Sequence, residues 1–176
     1  MIIAVTGTPC TGKTVVSKKI AETLGYRYID VGEFAEKYNL IIEEDAERET
    51  KIVDEKKLKK LLKHEDDVVI DGHYSEIVNS DMVFVLRCPP KILKERLLKK
   101  FSPEKVKENL LAEILDSCLI SAAENNDNTT VFEIENISTE KTVEKILTLI
   151  RNKKIEESIA FKPTCKYLND ENLNLL

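Results

Sequence analysis

Gly7-Thr8-Pro9-Cys10-Thr11-Gly12-Lys13-Thr14 directly follows the apolar run Met1-Ile2-Ile3-Ala4-Val5 at the start of the chain. These eight residues fit the pattern G-x-x-x-x-G-K-[S/T], in which a glycine-rich loop joins a buried strand to a helix and surrounds phosphate with backbone N–H groups. The lysine brings a positive charge to the β/γ-phosphate oxygens, and the threonine hydroxyl is suited to hold Mg²⁺. The stretch therefore predicts a P-loop α/β fold that binds a nucleoside triphosphate.

The size, composition and charge of the chain indicate one soluble domain around this loop. Its 176 residues, 42% hydrophobic and 34% charged, are enough to bury a sizeable core. The net charge of −5 argues against a surface that holds nucleic acid by neutralising phosphates, and it is better matched to a basic partner. The apolar N-terminus is too short for a signal peptide and no run reaches membrane-spanning length, so we expect no membrane contact and a cytoplasmic location.

The four cysteines do not form a metal-binding or disulfide pattern. They are Cys10, Cys88, Cys118 and Cys165, which are far apart and include no C-x-x-C pair. This spacing excludes a zinc ribbon and gives no indication of a disulfide framework. Cys10 lies inside the phosphate loop, where a thiol can become reactive, but we interpret it as a small loop residue.

Apolar runs alternate with stretches of helical periodicity, which predicts a three-layer α/β fold with about five parallel strands and helices on both faces. The predicted strands are residues 1–5, 26–29, 68–71, 82–86 and 131–134. The predicted helices begin after Gly12, Asp30, Asp54, Pro89 and Pro103, the last being one long amphipathic helix through Leu119, and a final helix covers residues 143–150. Gly25 is expected to be a C-cap, and Asp30 and Asp54 are expected to be N-caps.

Two other segments are predicted to be irregular. The stretch of residues 43–49 is too charged for a core and indicates an exposed, mobile segment. The tail, about residues 153–176, contains Pro163, which blocks a helix there. We expect Phe161, Tyr167 and Leu168 of this tail to pack back on the body.

A second chemical site is predicted where a buried strand ends at Asp71-Gly72-His73. In P-loop enzymes an acid at the tip of the strand beside the phosphate loop holds Mg²⁺, directly or through water. The alternative for Asp71 is a capping role at a strand end. His73 is placed to orient a water or to contact the γ-phosphate, and its alternative is a structural or surface histidine.

Arg96 and Lys100 are spaced i, i+4 and are predicted to share one helix face just before the irregular residues 101–103. Two cations that converge there would clamp the transferred phosphate and cover the nucleotide as a small lid. The alternative is a solvated basic face, because Lys91, Lys94 and Lys99 crowd the same helix.

Taken together, the motifs resemble those of the atypical adenylate kinase family, whose eukaryotic member is a coilin-interacting nuclear ATPase. The resemblance covers about residues 1–150 and rests on residues 7–14, 28–32, 71–73, 83–87 and 95–97. The D-x-H element combined with the V-L-R strand is far more specific than the phosphate loop alone. The chain has no N-K-x-D segment, which disfavours a GTPase, and its tail looks like that of the archaeal members.

This resemblance implies reversible phosphoryl transfer, ATP + AMP = 2 ADP, with broad specificity for nucleoside monophosphates, Mg²⁺ as cofactor and a slow ATPase activity. It implies a part in small-ribosomal-subunit (16S rRNA) maturation, through transient binding of ribosomal protein uS11 on the pre-30S particle. It also implies a single P-loop kinase domain over residues 1–176, with a monophosphate-binding region at about residues 30–51 and a lid at about residues 98–108.

The motifs and the resemblance together predict which residues act. The predicted catalytic residues are Lys13, Asp71, His73, Arg96 and Lys100, and the predicted metal ligands are Thr14 and Asp71. The residues expected to bind ATP are Gly7, Pro9, Cys10, Thr11, Gly12, Lys13, Thr14, Val15, Lys100, Asn136 and Ile137. The residues expected to bind the monophosphate are Asp30, Val31, Gly32, Phe34 and Lys37.

Two other functions stay open at this point. A nucleotide-gated ATPase that works as an assembly switch, with little or no kinase activity, would produce a conformational state in place of a product. A kinase for a different small metabolite would need an acceptor pocket that the sequence of residues 30–51 does not reveal.

Overall fold

The structure is a computed structural model that describes residues 1–45, 50–127, 130–152, 157–160 and 164–176. Its strands are β1 (Ile2–Thr6), β2 (Arg27–Asp30), β3 (Ile41–Asp45), β4 (Thr50–Val53), β5 (Val68–Asp71), β6 (Met82–Arg87) and β7 (Val131–Glu135). Its helices are α1 (Lys13–Leu24), α2 (Val31–Lys37), α3 (Glu55–Leu62), α4 (Pro90–Leu97), α5 (Pro103–Ile114), α6 (Ser117–Asn125), α7 (Thr139–Asn152) and α8 (Asp170–Leu173). None of the helices within these ranges is long and apolar enough to cross a bilayer.

A parallel sheet in the order β2-β5-β1-β6-β7 organises the described residues. The central strand β1 pairs with β5, where Val5 lies opposite Asp71, and with β6, where Val5 lies opposite Phe84. All six residues of β6 are buried, and a continuous apolar run is what a strand covered on both faces requires. The predicted P-loop fold with about five parallel strands is confirmed.

Alternate residues of the strands face two apolar layers. On one face, Val5 of β1 belongs to a cluster with Ile20 of α1 and Ile146 of α7. On the other face, Ala4 of β1 packs in a cluster with Ala122 of α6, and other strand residues join clusters with α2 and α3. Because the strands are parallel, the residues that follow β1, β5 and β6 meet at one edge of the sheet.

The predicted caps are confirmed at three helix termini. Gly25 ends α1 at φ 68°, a left-handed conformation that glycine adopts at little cost. Asp30 accepts the backbone N–H of Glu33 at 2.9 Å, and Asp54 accepts that of Lys57 at 3.1 Å. These carboxylates satisfy N–H groups that have no partner inside the helix, which determines where α2 and α3 begin.

The charged stretch predicted as an irregular segment begins as part of a hairpin. Strands β3 and β4 pair in antiparallel fashion with Glu44 opposite Lys51, while residues 46–49 lie outside the described ranges. The Lys51 ammonium also lies 2.6 Å from a carboxylate oxygen of Glu36 on α2. Opposite charges across and beside the strands allow this exposed polar sequence to pair.

The single long helix predicted after Pro103 is in fact two helices, α5 and α6. Asp116 lies between them at φ 58°, in the left-handed region that interrupts a right-handed helix. Its carboxylate accepts a hydrogen bond from the guanidinium of Arg87 at 2.5 Å. Because the partner is on a distant strand, the apolar periodicity of this segment does not reveal the break.

The C-terminal tail lies against the sheet where the structure describes it. The backbone N–H of Ile159 donates to the carbonyl oxygen of Val131 at 2.9 Å, and Tyr167 is buried as predicted. Leu168 is 61% exposed, so its predicted packing was wrong, and Phe161 lies outside the described residues. Ile159 and Leu175 also pack against buried apolar clusters, so the described part of the tail meets the body through both apolar and polar contacts.

Candidate functional site

The loop between β1 and α1 turns back on itself at two glycines. Gly7 has φ 140° and Gly12 has φ 94°, both in the region that residues with a Cβ rarely adopt. A Cβ at Gly7 would lie 2.3 Å from the carbonyl oxygen of Leu86, and one at Gly12 would lie 2.5 Å from the side-chain nitrogen of Asn136. Both positions therefore require glycine for conformation and for space.

Lys13 begins α1, and its side chain folds back across the loop. Its ammonium donates to the carbonyl oxygens of Gly7 at 2.7 Å and Thr8 at 3.0 Å. Burial lowers the pKa of Lys13, and the negative charge of Asp71 opposes that change. The ammonium is thus held at the loop, where the N-terminus of α1 adds positive potential for an anion.

Asn136, predicted to contact the nucleotide, supports the loop through its side chain. Its amide donates to the carbonyl oxygen of Thr11 at 2.7 Å, and its own oxygen accepts the Thr142 hydroxyl at 2.9 Å. Asn136 is 4% exposed, whereas the neighbouring Ile137 is 64% exposed. The structure therefore gives Asn136 a role in holding the loop, and nucleotide contact by either residue stays a prediction.

Asp71 ends β5 directly beside the central strand and is almost fully buried. Its Oδ2 accepts the hydroxyl of Tyr28 at 3.0 Å, whereas its Oδ1 has no hydrogen-bond partner among the described residues. Burial raises the pKa of Asp71, while the Thr14 hydroxyl and the Lys13 ammonium lower it. An orphaned carboxylate oxygen in such a place needs a cation or a donor to offset its lost hydration.

The surroundings of Asp71 fit Mg²⁺ better than a metal held by protein ligands alone. No cluster of three or more His, Cys, Asp or Glu side chains suited to a metal occurs in the described part of the chain. Mg²⁺ is commonly bound by one or two protein oxygens together with water and substrate phosphates. Asp71 and the Thr14 hydroxyl beside it match that donor set, and their binding of Mg²⁺ stays a prediction.

His73 follows Gly72 at the same edge of the sheet, and its ring is exposed. Removal of part of its hydration by the surrounding protein lowers the pKa of His73, the charges of Lys13 and Lys105 lower it further, and Glu76 opposes them. The imidazole is therefore neutral at pH 7 and can both donate and accept a hydrogen bond. Contact of His73 with a water or with the γ-phosphate stays a prediction.

A cavity of about 350 Å³ opens beside the loop and is lined mainly by cations and loop residues. The lining residues are Cys10, Gly12, Lys13, Thr14, Val15, Arg96, Lys99 and Lys100. Gly7, Pro9 and Thr11 build the loop without lining this cavity. Positive charges on both sides of one cavity create a potential that attracts phosphate.

Arg96 and Lys100 do meet at this cavity, but not on one helix face. Helix α4 ends at Leu97, and Lys100 lies in the turn that follows, where its N–H donates to the carbonyl oxygen of Leu97 at 2.9 Å. The guanidinium of Arg96 reaches the carbonyl oxygen of Cys10 at 3.3 Å. Lys99 also lines the cavity, and the sequence analysis did not name it as a site residue. Its position next to Lys100 in the predicted lid was the feature that could have identified it.

The region predicted to bind a monophosphate is built around α2, and two of its predicted contact residues have structural tasks. Asp30 caps α2, and Val31 is buried in the core. The ring centroids of Phe34 and Tyr38 lie 4.4 Å apart, and the ammonium of Lys37 lies 5.4 Å from the Tyr38 centroid. Contact between these residues and a substrate, and likewise contact by Gly32, stays a prediction.

Comparison with known proteins finds similarity along most of the chain. The family described as "AAA domain" matches residues 3–116. A protein of Methanocaldococcus jannaschii named "Putative adenylate kinase" is 40% identical over 166 residues, which cover 90% of this chain and 91% of the relative. A protein of Thermococcus kodakarensis with the same name is 42% identical over 156 residues, which cover 86% of each chain.

Solved structures with the same fold are more distant in sequence. A shikimate kinase from Bacteroides thetaiotaomicron is 17% identical with a TM-score of 0.59, covering 86% of this chain and 98% of its own. A deoxyadenosine kinase from M. mycoides with bound dATP is also 17% identical with a TM-score of 0.59, covering 86% of this chain and 100% of its own. At this identity the similarity shows the fold alone, which is that of P-loop kinases.

The Gly7→Ala substitution should abolish ATP binding, because a Cβ would collide with the Leu86 carbonyl oxygen and φ 140° is strained for alanine. Gly25→Ala is the matched control, since its φ is also positive but nothing lies within 4 Å of the added Cβ. That control should lose about 1–2 kcal/mol of stability and keep its ATP affinity. Titration calorimetry and urea unfolding measure the two effects, and wild-type ATP affinity in the Gly7 variant would contradict the assigned loop geometry.

Proposed function

Since this chain belongs to the AAA domain family and to the same family as its archaeal relatives, we propose that it is a nucleoside monophosphate kinase that converts Mg²⁺-ATP and AMP to two ADP. The observation that carries the proposal is the cavity in which Lys13 of the loop meets Arg96, Lys99 and Lys100. Phosphoryl transfer between nucleotides depends on positioning and charge neutralisation, because the acceptor is itself a phosphate oxygen. A phosphate cradle lined by cations on two sides supplies both.

In the proposed reaction, Lys13 neutralises the β/γ-phosphate oxygens from the loop side. Arg96 and Lys100 stabilise the charge on the transferred phosphoryl group from the other side of the cavity. Thr14 and Asp71 would hold Mg²⁺, which supplies further charge neutralisation at the phosphate oxygens when it is bound. No residue of this chain has to act as a strong base.

The proposed acceptor site lies over residues 30–51, beside α2. Phe34 offers an aromatic ring to a base and Lys37 a cation to a phosphate, which are the two kinds of group that a nucleoside monophosphate carries. When no acceptor is bound, the neutral imidazole of His73 would orient water toward the γ-phosphate. This arrangement would give the slow ATPase activity that the family resemblance implies.

We expect the purified protein to form ADP from ATP and AMP, with lower rates for CMP, UMP and GMP, and to lose all activity when EDTA removes Mg²⁺.

Lys100→Ala should lower kcat by about tenfold or more, because the charge lies where the phosphoryl group passes. Lys91→Ala removes an exposed lysine of α4 outside the cavity and should leave kcat unchanged. Chromatography of the nucleotides measures each rate, and the absence of ADP formation with every acceptor, despite intact ATP binding, would contradict the kinase proposal.

Tyr28 is expected to position Asp71 for Mg²⁺, since its hydroxyl occupies Oδ2 and leaves Oδ1 available. Tyr28→Phe should raise the Mg²⁺ concentration for half-maximal activity by about three- to tenfold, with the KM for AMP unchanged. Tyr26→Phe is the control. This half-buried tyrosine directly precedes β2 and interacts with Asp67, which precedes β5, whereas Asp71 ends β5. Initial rates against Mg²⁺ concentration decide the matter, and an unchanged requirement in the Tyr28 variant would refute this role.

We also propose that the chain is a cytoplasmic assembly factor whose ATPase activity serves small-ribosomal-subunit maturation, with uS11 on the pre-30S particle as its transient partner. This proposal rests on the resemblance of residues 71–73 and 83–87 to the atypical adenylate kinase family. The net charge of −5 supports it, because ribosomal proteins that bind rRNA are basic. The same features support the alternative in which switching is the main output and kinase activity is small.

The partner proposal predicts that nucleotide state controls uS11 binding. The affinity for purified uS11 should differ by about tenfold or more between the ATP-bound and ADP-bound forms, because a ligand shifts an equilibrium only by its differential affinity. Calorimetry with each nucleotide measures this, and equal affinities would exclude a switch. ATP hydrolysis together with a nucleotide-dependent affinity, but without ADP formation from AMP, would favour the alternative over the kinase.

A further inference from the structure

A buried cluster of charges lies beside the phosphate loop, and none of its members lines the cavity. Arg87, the last residue of β6, is 1% exposed. Its Nε donates to Glu113 of α5 at 3.0 Å, its Nη1 donates to Glu133 of β7 at 2.7 Å, and its Nη2 donates to Asp116. The attraction of these carboxylates outweighs burial and raises the pKa of Arg87. The cluster therefore stays charged, and it joins two strands to the end of α5.

One end of this cluster is completed by the C-terminal tail. The second oxygen of Glu133 accepts the backbone N–H of Thr164 at 2.7 Å, the Thr164 hydroxyl at 3.0 Å and the N–H of Cys165 at 2.9 Å. The ring of Tyr167 lies 4.9 Å from the guanidinium carbon of Arg87, and its hydroxyl donates to Glu135 at 2.6 Å. Four polar contacts and one cation–π contact thus hold residues 164–167 on the cluster.

The other end of the cluster is the phosphate loop itself. Oε1 of Glu113 accepts hydrogen bonds from Nε of Arg87 and from the backbone N–H of Cys88, the latter at 2.9 Å. Oε2 of Glu113 accepts a hydrogen bond from the hydroxyl of Thr8. The carbonyl oxygen of Thr8 in turn accepts the Lys13 ammonium at 3.0 Å. The negative charge of Glu113 also acts on Lys13 and opposes the lowering of its pKa by burial. A continuous chain of contacts therefore runs from the tail to the phosphate-binding lysine.

We propose that residues 164–167 position the phosphate loop, so that docking of the tail and binding of ATP are coupled. The tail satisfies one oxygen of Glu133, which lets Glu133 hold Arg87 with its other oxygen. Arg87 then holds Glu113 in the orientation that receives Thr8. These residues are positioning residues, because none of them is placed against the substrate.

The physical basis of the coupling is the cost of a buried carboxylate without partners. When the tail leaves, the second oxygen of Glu133 loses three donors at once, although its side chain has no exposure of its own. The cluster must then rearrange or admit water, and Arg87 is the group shared by Glu133 and Glu113. By linkage, a loop held in its phosphate-binding form must equally favour the docked tail.

The experiment compares tail variants by hydrogen exchange of residues 7–12 and by ATP affinity. Thr164→Val/Tyr167→Leu removes the hydroxyl and the cation–π contact, and Thr164→Val alone is the milder variant if the pair does not fold. We expect faster exchange in residues 7–12 and an ATP Kd raised about three- to tenfold. Leu168→Ala changes an exposed neighbour in the same segment and should alter neither quantity.

A double-mutant cycle with Thr8→Val separates positioning from a general loss of stability. If the tail acts through Glu113 and Thr8, the tail substitutions should have no further effect on residues 7–12 or on Kd once Thr8 is valine. Unchanged exchange and Kd in the tail variants would overturn the proposal, and so would effects that simply add to those of Thr8→Val.

This inference rests on the proposed function only in taking the loop as an ATP site. Hydrogen exchange is measured on the free protein, so it remains informative if the wild-type protein forms no ADP. A wild-type protein without kinase activity whose loop still responds to the tail would contradict the proposed function and support the coupling. An active kinase whose loop does not respond to the tail variants would support the proposed function and contradict the coupling.

Discussion

The buried guanidinium of Arg87 is the interaction on which the functional edge of the sheet depends. A cation that is 1% exposed persists only when its charge and its N–H groups are all matched, and here Glu113, Asp116 and Glu133 match them. These partners come from α5, from the break that follows it and from β7. The Arg87 guanidinium therefore holds these three elements in position at the end of β6. Arg87 directly follows Leu86, whose carbonyl oxygen lies against Gly7.

The charged side chains at this edge of the sheet fall into two groups. Carboxylates surround Arg87 in the buried cluster, whereas Lys13, Arg96, Lys99 and Lys100 line the open cavity. A chain with a net charge of −5 can therefore carry a locally positive cavity, because no acidic side chain is among the residues that line it. Asp71 is the exception, since it is an acid whose charge acts on Lys13, and its orphaned oxygen is the reason to connect it with Mg²⁺.

The sequence predicted local backbone features correctly and missed features that depend on distant contacts. Gly7, Gly12, Gly25 and the capping carboxylates were identified correctly, because each acts on backbone within a few residues of itself. The break at Asp116 and the position of Lys100 after the end of α4 were missed, because apolar periodicity continues through both places. Direct contacts of the predicted residues with ATP or a monophosphate stay predictions.

By itself the sequence predicted the P-loop fold, the five strands of the parallel sheet as they follow one another along the chain, and the caps at Gly25, Asp30 and Asp54. These features depend on local backbone preference and on the period of apolar residues, which a single chain displays directly. Only the tertiary structure decided that the Tyr28 hydroxyl donates to Asp71 and that Thr8 reaches Glu113. These partners are 43 and 105 residues apart, and no local rule relates them, because the strand order and the packing of α5 bring them together.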